Sequence, residues 1–313
     1  METVDIVEES TPLAVSATPF FKIPGGKRKL ADTILNYLPE NFFDNPSSQF
    51  VEPFLGAGAV SLKVAQRLAL KGLSQDDISA KLFLNDGNPH ITNLWTVASR
   101  DPVGLLERFN ELTAEHGEDN YYSTRNFIEP SFIGKEDFED SLETAANFLY
   151  LNKNCFNGLI RYNKKGEFNS PIGSYTKPQT VDANNLKNIS AMDLYVSCGD
   201  FVDYVEHLMK GGDLNEDTVV YFDPPYVPLN ITSSFTDYTA GGFNEDDQLR
   251  LRGLVDRLTR IGVKAIVSNS NTAWVKREYS DYNVHTIRAK RSINSVGNRR
   301  GKIKELVITN FNP

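Results

Sequence analysis

The chain has 313 residues, with 33 basic and 41 acidic side chains and a formal net charge of −8. Hydrophobic residues at 40% and charged residues at 24% exclude a disordered or fibrous chain, and no run of about 18 apolar residues is present to cross a membrane. Two cysteines, Cys155 and Cys198, exclude a disulfide framework and a Cys-rich zinc site and point to a reducing, cytoplasmic setting; spread evenly, the −8 would also argue against a polyanionic partner.

In chain order, residues 1–18 carry acids and no Lys or Arg and read as a flexible leader rather than a secretory signal. Phe20 to Lys29 reads as a loop through Gly25-Gly26-Lys27, and a helical pattern follows to about Leu38, where Pro39 closes it. Gln49–Pro53 predicts a short buried strand, Phe54 to Gly58 a tight turn, and Ala59–Leu70 a helix with Gly72 as its C-cap. Lys81–Leu84 predicts a second strand that ends in Asn85-Asp86, which completes one βαβ unit. Ile91 to Asn152 is mostly helical in spacing. Asn154 to Tyr175 is rich in Asn, Gly, Tyr and Phe, with turn signals at Lys165-Gly166 and Pro171. Leu194–Cys198, Val219–Phe222 and Lys264–Val267 read as buried strands, with helices over about 201–210 and 244–260. Tyr282–Ile287 and Glu305–Thr309 read as a closing pair of strands. The pattern is that of a doubly wound α/β, Rossmann-like sheet, residues 19–90 and 191–313, interrupted by a mostly helical insertion with a β-hairpin, residues 91–190.

The charge is segregated along this chain. Residues 101–143 hold twelve acids against three bases. Three stretches run the other way: 22–29 at +4, 150–191 at +4, and 288–304 at +7 with no acid. If the fold joins these stretches, they form a basic groove on an acidic body.

The sharpest motif is Asp223-Pro224-Pro225-Tyr226, delivered by the strand before it to the carboxyl edge where open α/β sheets bind ligands. Consecutive prolines fix φ and carry no N–H, so the Asp223 carboxylate and the Pro224 carbonyl present two acceptors in fixed positions. Two acceptors facing one point suit an exocyclic amino group, and Tyr226 offers a face for a base. Acceptors on the protons of such an amine favour a localised lone pair, and they gain strength as positive charge develops on nitrogen. The Phe54-Leu55-Gly56-Ala57-Gly58 turn lets a ligand approach the backbone, and Asp86 at the end of the second strand suits ribose hydroxyls. Gly25-Gly26-Lys27-Arg28 lacks the rest of a phosphate-binding loop. His90, His116, His207 and His285 form no ligand-spaced cluster, so no metal is expected. The cysteines follow Asn154 and Ser197 rather than a proline, which argues against a cysteine nucleophile.

These residues resemble a family. Lys22-Ile23-Pro24-Gly25-Gly26-Lys27, Glu52-Pro53-Phe54-Leu55-Gly56-Ala57-Gly58, Asn85-Asp86, Asn157-Gly158-Leu159-Ile160-Arg161-Tyr162-Asn163 and Asp223-Pro224-Pro225-Tyr226 stand in the order and spacing of Dam-type DNA adenine-N6 methyltransferases, the class alpha amino-methyltransferases. The resemblance runs from about Pro19 to Thr309. It implies S-adenosylmethionine as methyl donor, with no metal. It implies double-stranded DNA as partner, a monomer on DNA as one working form, and the adenine of GATC as acceptor in a bacterial or phage host. Lys27, Phe54, Gly56, Gly58, Asp86 and Asp223 match donor-binding positions, and Asp223, Pro224 and Tyr226 the catalytic motif. Lys22 matches a lysine that reads the first G. Arg161, with Leu159 and Pro171 beside it, matches the reader of the second half-site. Phe156 and Asn157 match the pair that wedges into the stack as the base flips out, and Tyr175 matches a tyrosine of the recognition hairpin. The run from Arg291 through Arg299 and Arg300 resembles a phosphate-holding loop. The insertion 91–190 then becomes a target-recognition domain. Ile23-Pro24, Ser174 and the stretch 71–80 depart from the family pattern. An RNA adenine-N6 methyltransferase and a catalytically dead DNA-binding relative are the alternative readings.

Overall fold

A computed structural model of the chain describes residues 16–128, 141–228, 243–290 and 302–313. Seven strands form one sheet: β1 (Gln49–Glu52), β2 (Leu82–Asp86), β3 (Val196–Cys198), β4 (Thr218–Phe222), β5 (Lys264–Ser270), β6 (Asn283–Lys290) and β7 (Lys302–Thr309). Their order is β3-β2-β1-β4-β5-β7-β6, with β1 to β5 parallel and β7 antiparallel to both its neighbours. The chain winds outward from β1 to β3 on one side and from β4 to β5 on the other. The point where the order reverses therefore lies between β1 and β4, and the crevice there opens at their carboxyl ends.

The strands are apolar on both faces, as buried parallel strands must be. Alternation divides their side chains between two cores. Phe50, Val219, Tyr221 and Ile266 enter one, and Val51, Val220, Phe222 and Val267 the other. The second core is covered by α9 (Phe201–Gly211), α10 (Glu245–Arg260) and α11 (Ala273–Glu278). The first continues from α2 (Ala59–Leu70) and α4 (Pro89–Arg100) into α5 (Pro102–Ala114), α6 (Glu118–Phe127), α7 (Leu142–Asn154) and α8 (Ala183–Ser190), so apolar packing runs from the sheet into the insertion. Beyond α7, the bridges Cys155↔Ile172 and Tyr162↔Phe168 close an irregular hairpin around a turn at Gly166.

The structure differs from the sequence reading in several places. The first helix is short: Lys27–Lys29 is a 3₁₀ turn, Leu30 is the N-cap, and α1 covers only Ala31–Leu35, after which Asn36, Tyr37 and Leu38 donate to carbonyls three residues back. The departure at 71–80 contains α3 (Gln75–Ser79), closed by a Ser74–Asp77 capping box. The closing strands are longer than expected. Ala17 and Thr18, placed in the leader by sequence, belong to the body: Ala17 is buried, and Thr18 is held through its N–H and C=O by the Asn185 amide. Residues 1–15 of the leader, together with Arg291, Arg299 and Arg300, lie outside the described residues. Among the described residues no helix is long and apolar enough to cross a membrane.

Candidate active site

A cavity of about 500 Å³ opens at the switch point, lined by Lys27, Glu52, Phe54, Gly56, Asp86, Asp223, Pro224, Tyr226 and Glu305 among others. Three strand ends meet beneath it. The Asn85 amide donates to Pro53 O and Gly199 O, both at 3.1 Å, and so ties the ends of β1, β2 and β3 together. Asp86 accepts from Gly56 N at 2.8 Å and Asn88 N at 2.9 Å. Burial pushes its carboxyl up to about 6, and these two N–H groups oppose the rise. Each carboxylate oxygen has lone-pair capacity left for a hydroxyl.

The glycine turn is held by protein on two sides. Trp95 Nε1 donates to Gly56 O at 2.8 Å. A Cβ on Gly56 would sit 2.9 Å from Ile23 Cδ1, so Ile23, one of the departures, is seated on the turn. Gly58 differs from its sequence assignment. It does not line the cavity; its φ of +68° turns the chain into α2, and a Cβ there would lie 2.8 Å from the Trp95 ring. Its bareness therefore admits a tryptophan rather than a ligand. Behind the turn, Glu52 Oε2 accepts from the N–H and hydroxyl of Ser61 in the first turn of α2. Burial pushes the Glu52 carboxyl up to about 8, with Ser61 pulling down and the Asp223 charge adding to the rise.

One wall is aromatic. The Phe54 ring lies 4.9 Å from Phe201 and 5.8 Å from Phe243, and the Arg250 guanidinium covers Phe201 at 5.2 Å. Arg250 is itself held by Asp200 at 2.7 Å and Asp247 at 3.0 Å. This wall, with Asp86 beside it, fits a nucleoside: flat faces for a base and a carboxylate for a ribose.

On the other side stands the Asp223-to-Tyr226 motif. Gln248 donates to Pro225 O at 2.8 Å, and Asn269 holds both Gln248 and Val227 N. Among the described residues nothing donates to the Pro224 carbonyl, which the two-acceptor reading requires. Lys27 Nζ lies 2.9 Å from the buried Oδ1 of Asp223, an ion pair. Burial raises the Asp223 carboxyl, Lys27 lowers it, and Glu305 raises it again. The Tyr226 ring faces Lys27 Nζ at 4.4 Å, and its hydroxyl donates to Glu305 Oε2 at 2.9 Å.

The recognition candidates gather on the insertion. Asn152 fixes the Lys22 backbone by two hydrogen bonds, at 2.8 Å and 2.7 Å. Lys22 Nζ donates to Lys153 O at 3.1 Å and to Tyr175 OH at 3.2 Å. Gly158, at φ +66°, is packed on the Lys22 stem, where a Cβ would come within 2.6 Å. Phe156 is 45% exposed, Asn157 beside it takes φ +57°, and Phe156 N donates to Pro171 O. Leu159 is half-buried, and its carbonyl accepts from Ser170 Oγ. The exposed Arg161 fork is held by Asn169, at 2.7 Å to Oδ1 and 3.1 Å to the carbonyl. Lys153 sits among these groups; burial, then the charges of Lys22 and Arg28, push its ammonium down to about 8. Cys155 is buried, and its thiol is pushed up to about 12, which leaves it inert at neutral pH. His90 is buried and bonded to the Tyr162 hydroxyl, and the described residues contain no group of three ligands placed to hold a metal.

Sequence reasoning gave no role to Glu305, Trp95, Glu52, Phe201, Phe243 or Arg250. Two carried a signal: Glu305 is an acid within an apolar strand, and Glu52 an acid at the end of another. The aromatic wall joins residues too far apart in sequence to show.

A doubly wound sheet with a reversed last strand and an Asp-Pro-Pro-Tyr corner at its switch point defines an amino-methyltransferase. The family model described as D12 class N6 adenine-specific DNA methyltransferase matches residues 24–293, and the chain belongs to that family. It is 36% identical over 304 residues to the Type II methyltransferase M.MjaIII of Methanocaldococcus jannaschii, covering 94% of this chain and 99% of that one. It is 31% identical to the DNA adenine methylase of Vibrio cholerae (92% and 94% covered) and 30% identical to that of Escherichia coli (92% and 93%). The chain is thus an adenine-specific DNA methyltransferase, which sets aside the RNA-directed and catalytically dead alternatives.

Proposed function

We propose that the enzyme uses S-adenosylmethionine to methylate the N6 amine of adenine in duplex GATC, after the base has been turned out of the helix. The observation that carries this reading is the single cavity with a nucleoside-shaped wall on one side and the Asp223–Pro224 acceptor pair on the other. The donor would supply an electrophilic methyl group on a sulfonium, with Asp86 at its ribose, Phe54, Phe201 and Phe243 along its base, and Gly56 beneath it. The target amine cannot reach such a cavity from within a stacked duplex, so extrusion is required. Asp223 and Pro224 O then accept its two N–H bonds, and Tyr226 holds the base. The donor would supply its methyl group to the nitrogen lone pair, the electrons of the C–S bond remaining on sulfur. The positive charge left on nitrogen is discharged by loss of one N–H proton to water. Acceptors aimed at that charge favour the transition state over the ground state.

Phe156 and Asn157, exposed at a strained turn, suit the gap left in the stack. Lys22 and Arg161 suit guanine edges, where a cation with two donors meets O6 and N7. Arg28, Lys22 and Lys153, three cations near enough to feel one another's charge, suit a phosphate.

The test is methyl incorporation into oligonucleotide duplexes carrying single-base changes of GATC. Transfer confined to GATC is expected, and equal or better transfer to another site refutes the assigned sequence. Asp223→Ala should abolish transfer while keeping the fold, and robust turnover by that variant would overturn the role given to Asp223. A 2-aminopurine at the target position should brighten on binding as it leaves the stack; no change would argue against extrusion.

A further inference from the structure

We infer that Glu305 is a positioning residue for methyl transfer: it receives the Lys27 ammonium when the substrate amine takes its place on Asp223, and it fixes the plane of the Tyr226 ring. This deepens the reading above and rests on it. Glu305 stands in β7, in register with Ser270 of β5 and Ile287 of β6, and is followed by the buried run Leu306, Val307 and Ile308. A carboxylate in such a strand is costly unless something needs it there. Its Oε2 accepts from the Tyr226 hydroxyl at 2.9 Å and lies 4.0 Å from Lys27 Nζ. Lys27 Nζ is at the same time 2.9 Å from Asp223 Oδ1 and 3.0 Å from Gly25 O. One ammonium therefore stands between two carboxylates, nearer to the one that the substrate requires.

That arrangement conflicts with catalysis. The Lys27 ammonium lies against the buried Oδ1 of Asp223, and a fixed positive charge beside that carboxylate opposes the charge that develops on the substrate nitrogen. Lys27 is only 6% exposed, so it cannot be released to water, and a buried cation without a partner is strongly unfavourable. Glu305 resolves both difficulties. A short swing carries Nζ from Asp223 to Glu305, still against the face of Tyr226. Glu305 can accept the ammonium and the tyrosine hydroxyl together, because a carboxylate has about four lone-pair sites. The outcome frees Asp223 while Lys27 stays paired, and the last strand pair of the sheet becomes part of the catalytic centre.

The test is single-turnover methyl transfer to duplex DNA by four proteins: the unaltered enzyme, Glu305→Gln, Lys27→Gln and the double variant. Donor and duplex affinities are measured separately by equilibrium binding. Loss of the Glu305 charge should slow transfer by at least about tenfold, with both affinities within about threefold of the parent. In the Lys27→Gln background the same change should cost less than about threefold, since no ammonium is left to move. An unaltered rate in Glu305→Gln, or an equal factor in both backgrounds, would overturn the inference and indicate a merely structural carboxylate. Should Glu305→Gln fail to fold, Glu305→Asp, which draws the charge back by one methylene, gives the same cycle with a smaller loss. A complex with duplex DNA and a donor analogue gives a readout without turnover: Nζ should lie at about 3 Å from Glu305, and Nζ still on Asp223 would overturn the inference. Failure of the unaltered enzyme to transfer a methyl group would instead strike at the proposed reaction.

Discussion

Glu52 shows how a single buried carboxyl couples stability to pH. Its carboxyl is pushed up to about 8 by burial, against an ordinary value near about 4.3 in the unfolded chain. Below the unfolded value both states hold the proton. Between the two values only the folded state does, so this contribution to stability is lost as pH rises through about 8. Glu52→Gln keeps the shape without the charge. Its melting temperature relative to the parent should therefore climb between about pH 5 and pH 9, by the equivalent of a few kcal/mol at about 1.4 kcal/mol per unit. A difference that stays flat with pH would show that Glu52 titrates normally. Asp86, pushed up to about 6, carries the opposite experimental sign for binding: donor affinity should weaken from about pH 7.5 to about pH 5.5 as the charge facing the ribose disappears. Equal affinity at both ends would mean that the Asp86 charge does not hold the donor. At this scale the sequence disclosed Asp86 and Asp223 because both end buried strands beside recognisable turns. It was silent on Glu52 and Glu305, whose partners, Ser61 across a turn and Tyr226 some eighty residues away, exist only once the chain is folded.

Among elements, two glycine turns set the geometry for two different tasks. Gly58→Ala would force a φ of +68° on a residue with a side chain and drive it into Trp95. We expect destabilisation of about 1–3 kcal/mol and weaker donor binding, read by thermal melting and equilibrium binding. Gly158→Ala meets the Lys22 stem instead, so its effect should fall on recognition. The ratio of methylation at the cognate duplex to that at a duplex altered in the first base pair should drop at least about tenfold. Gly72→Ala is the control: its φ is +89° with nothing within 4 Å, so it pays backbone strain alone and should keep the parent's rate and selectivity. A Gly158→Ala variant with unchanged selectivity would detach Lys22 from base reading. Regular elements were legible because period-2 and period-3.6 patterns survive in the sequence; α2 (Ala59–Leu70) was read to the residue. The first helix was overextended at its far end, where Asn36, Tyr37 and Leu38 donate to carbonyls three residues back and the α-helical pattern stops at Leu35 although the apolar spacing runs on. The hairpin beyond α7 is built from two isolated bridges and side-chain clamps, which leave no periodic trace.

For the molecule as a whole, net charge is a poor guide to partner. The −8 coexists with a Lys153 ammonium depressed by burial and then by the charges of Lys22 and Arg28. Across the last strand pair, Arg288 stands in register with Lys304, a second like-charged pairing. Such groupings are unfavourable until an anion neutralises them, so DNA affinity should fall steeply with salt, and Lys153→Gln should reduce the slope of log affinity against log salt by about 1. An unchanged slope would remove Lys153 from the phosphate contacts. The glycine turn carries its own optical probe. The chain contains two tryptophans, and Trp95 is fully buried, its indole N–H on Gly56 O and its ring against Gly58. With Trp274→Phe, its emission would come from a single fluorophore wired to the glycine turn. Donor arrival and departure would then be visible in stopped flow, without a label, on the enzyme's own timescale.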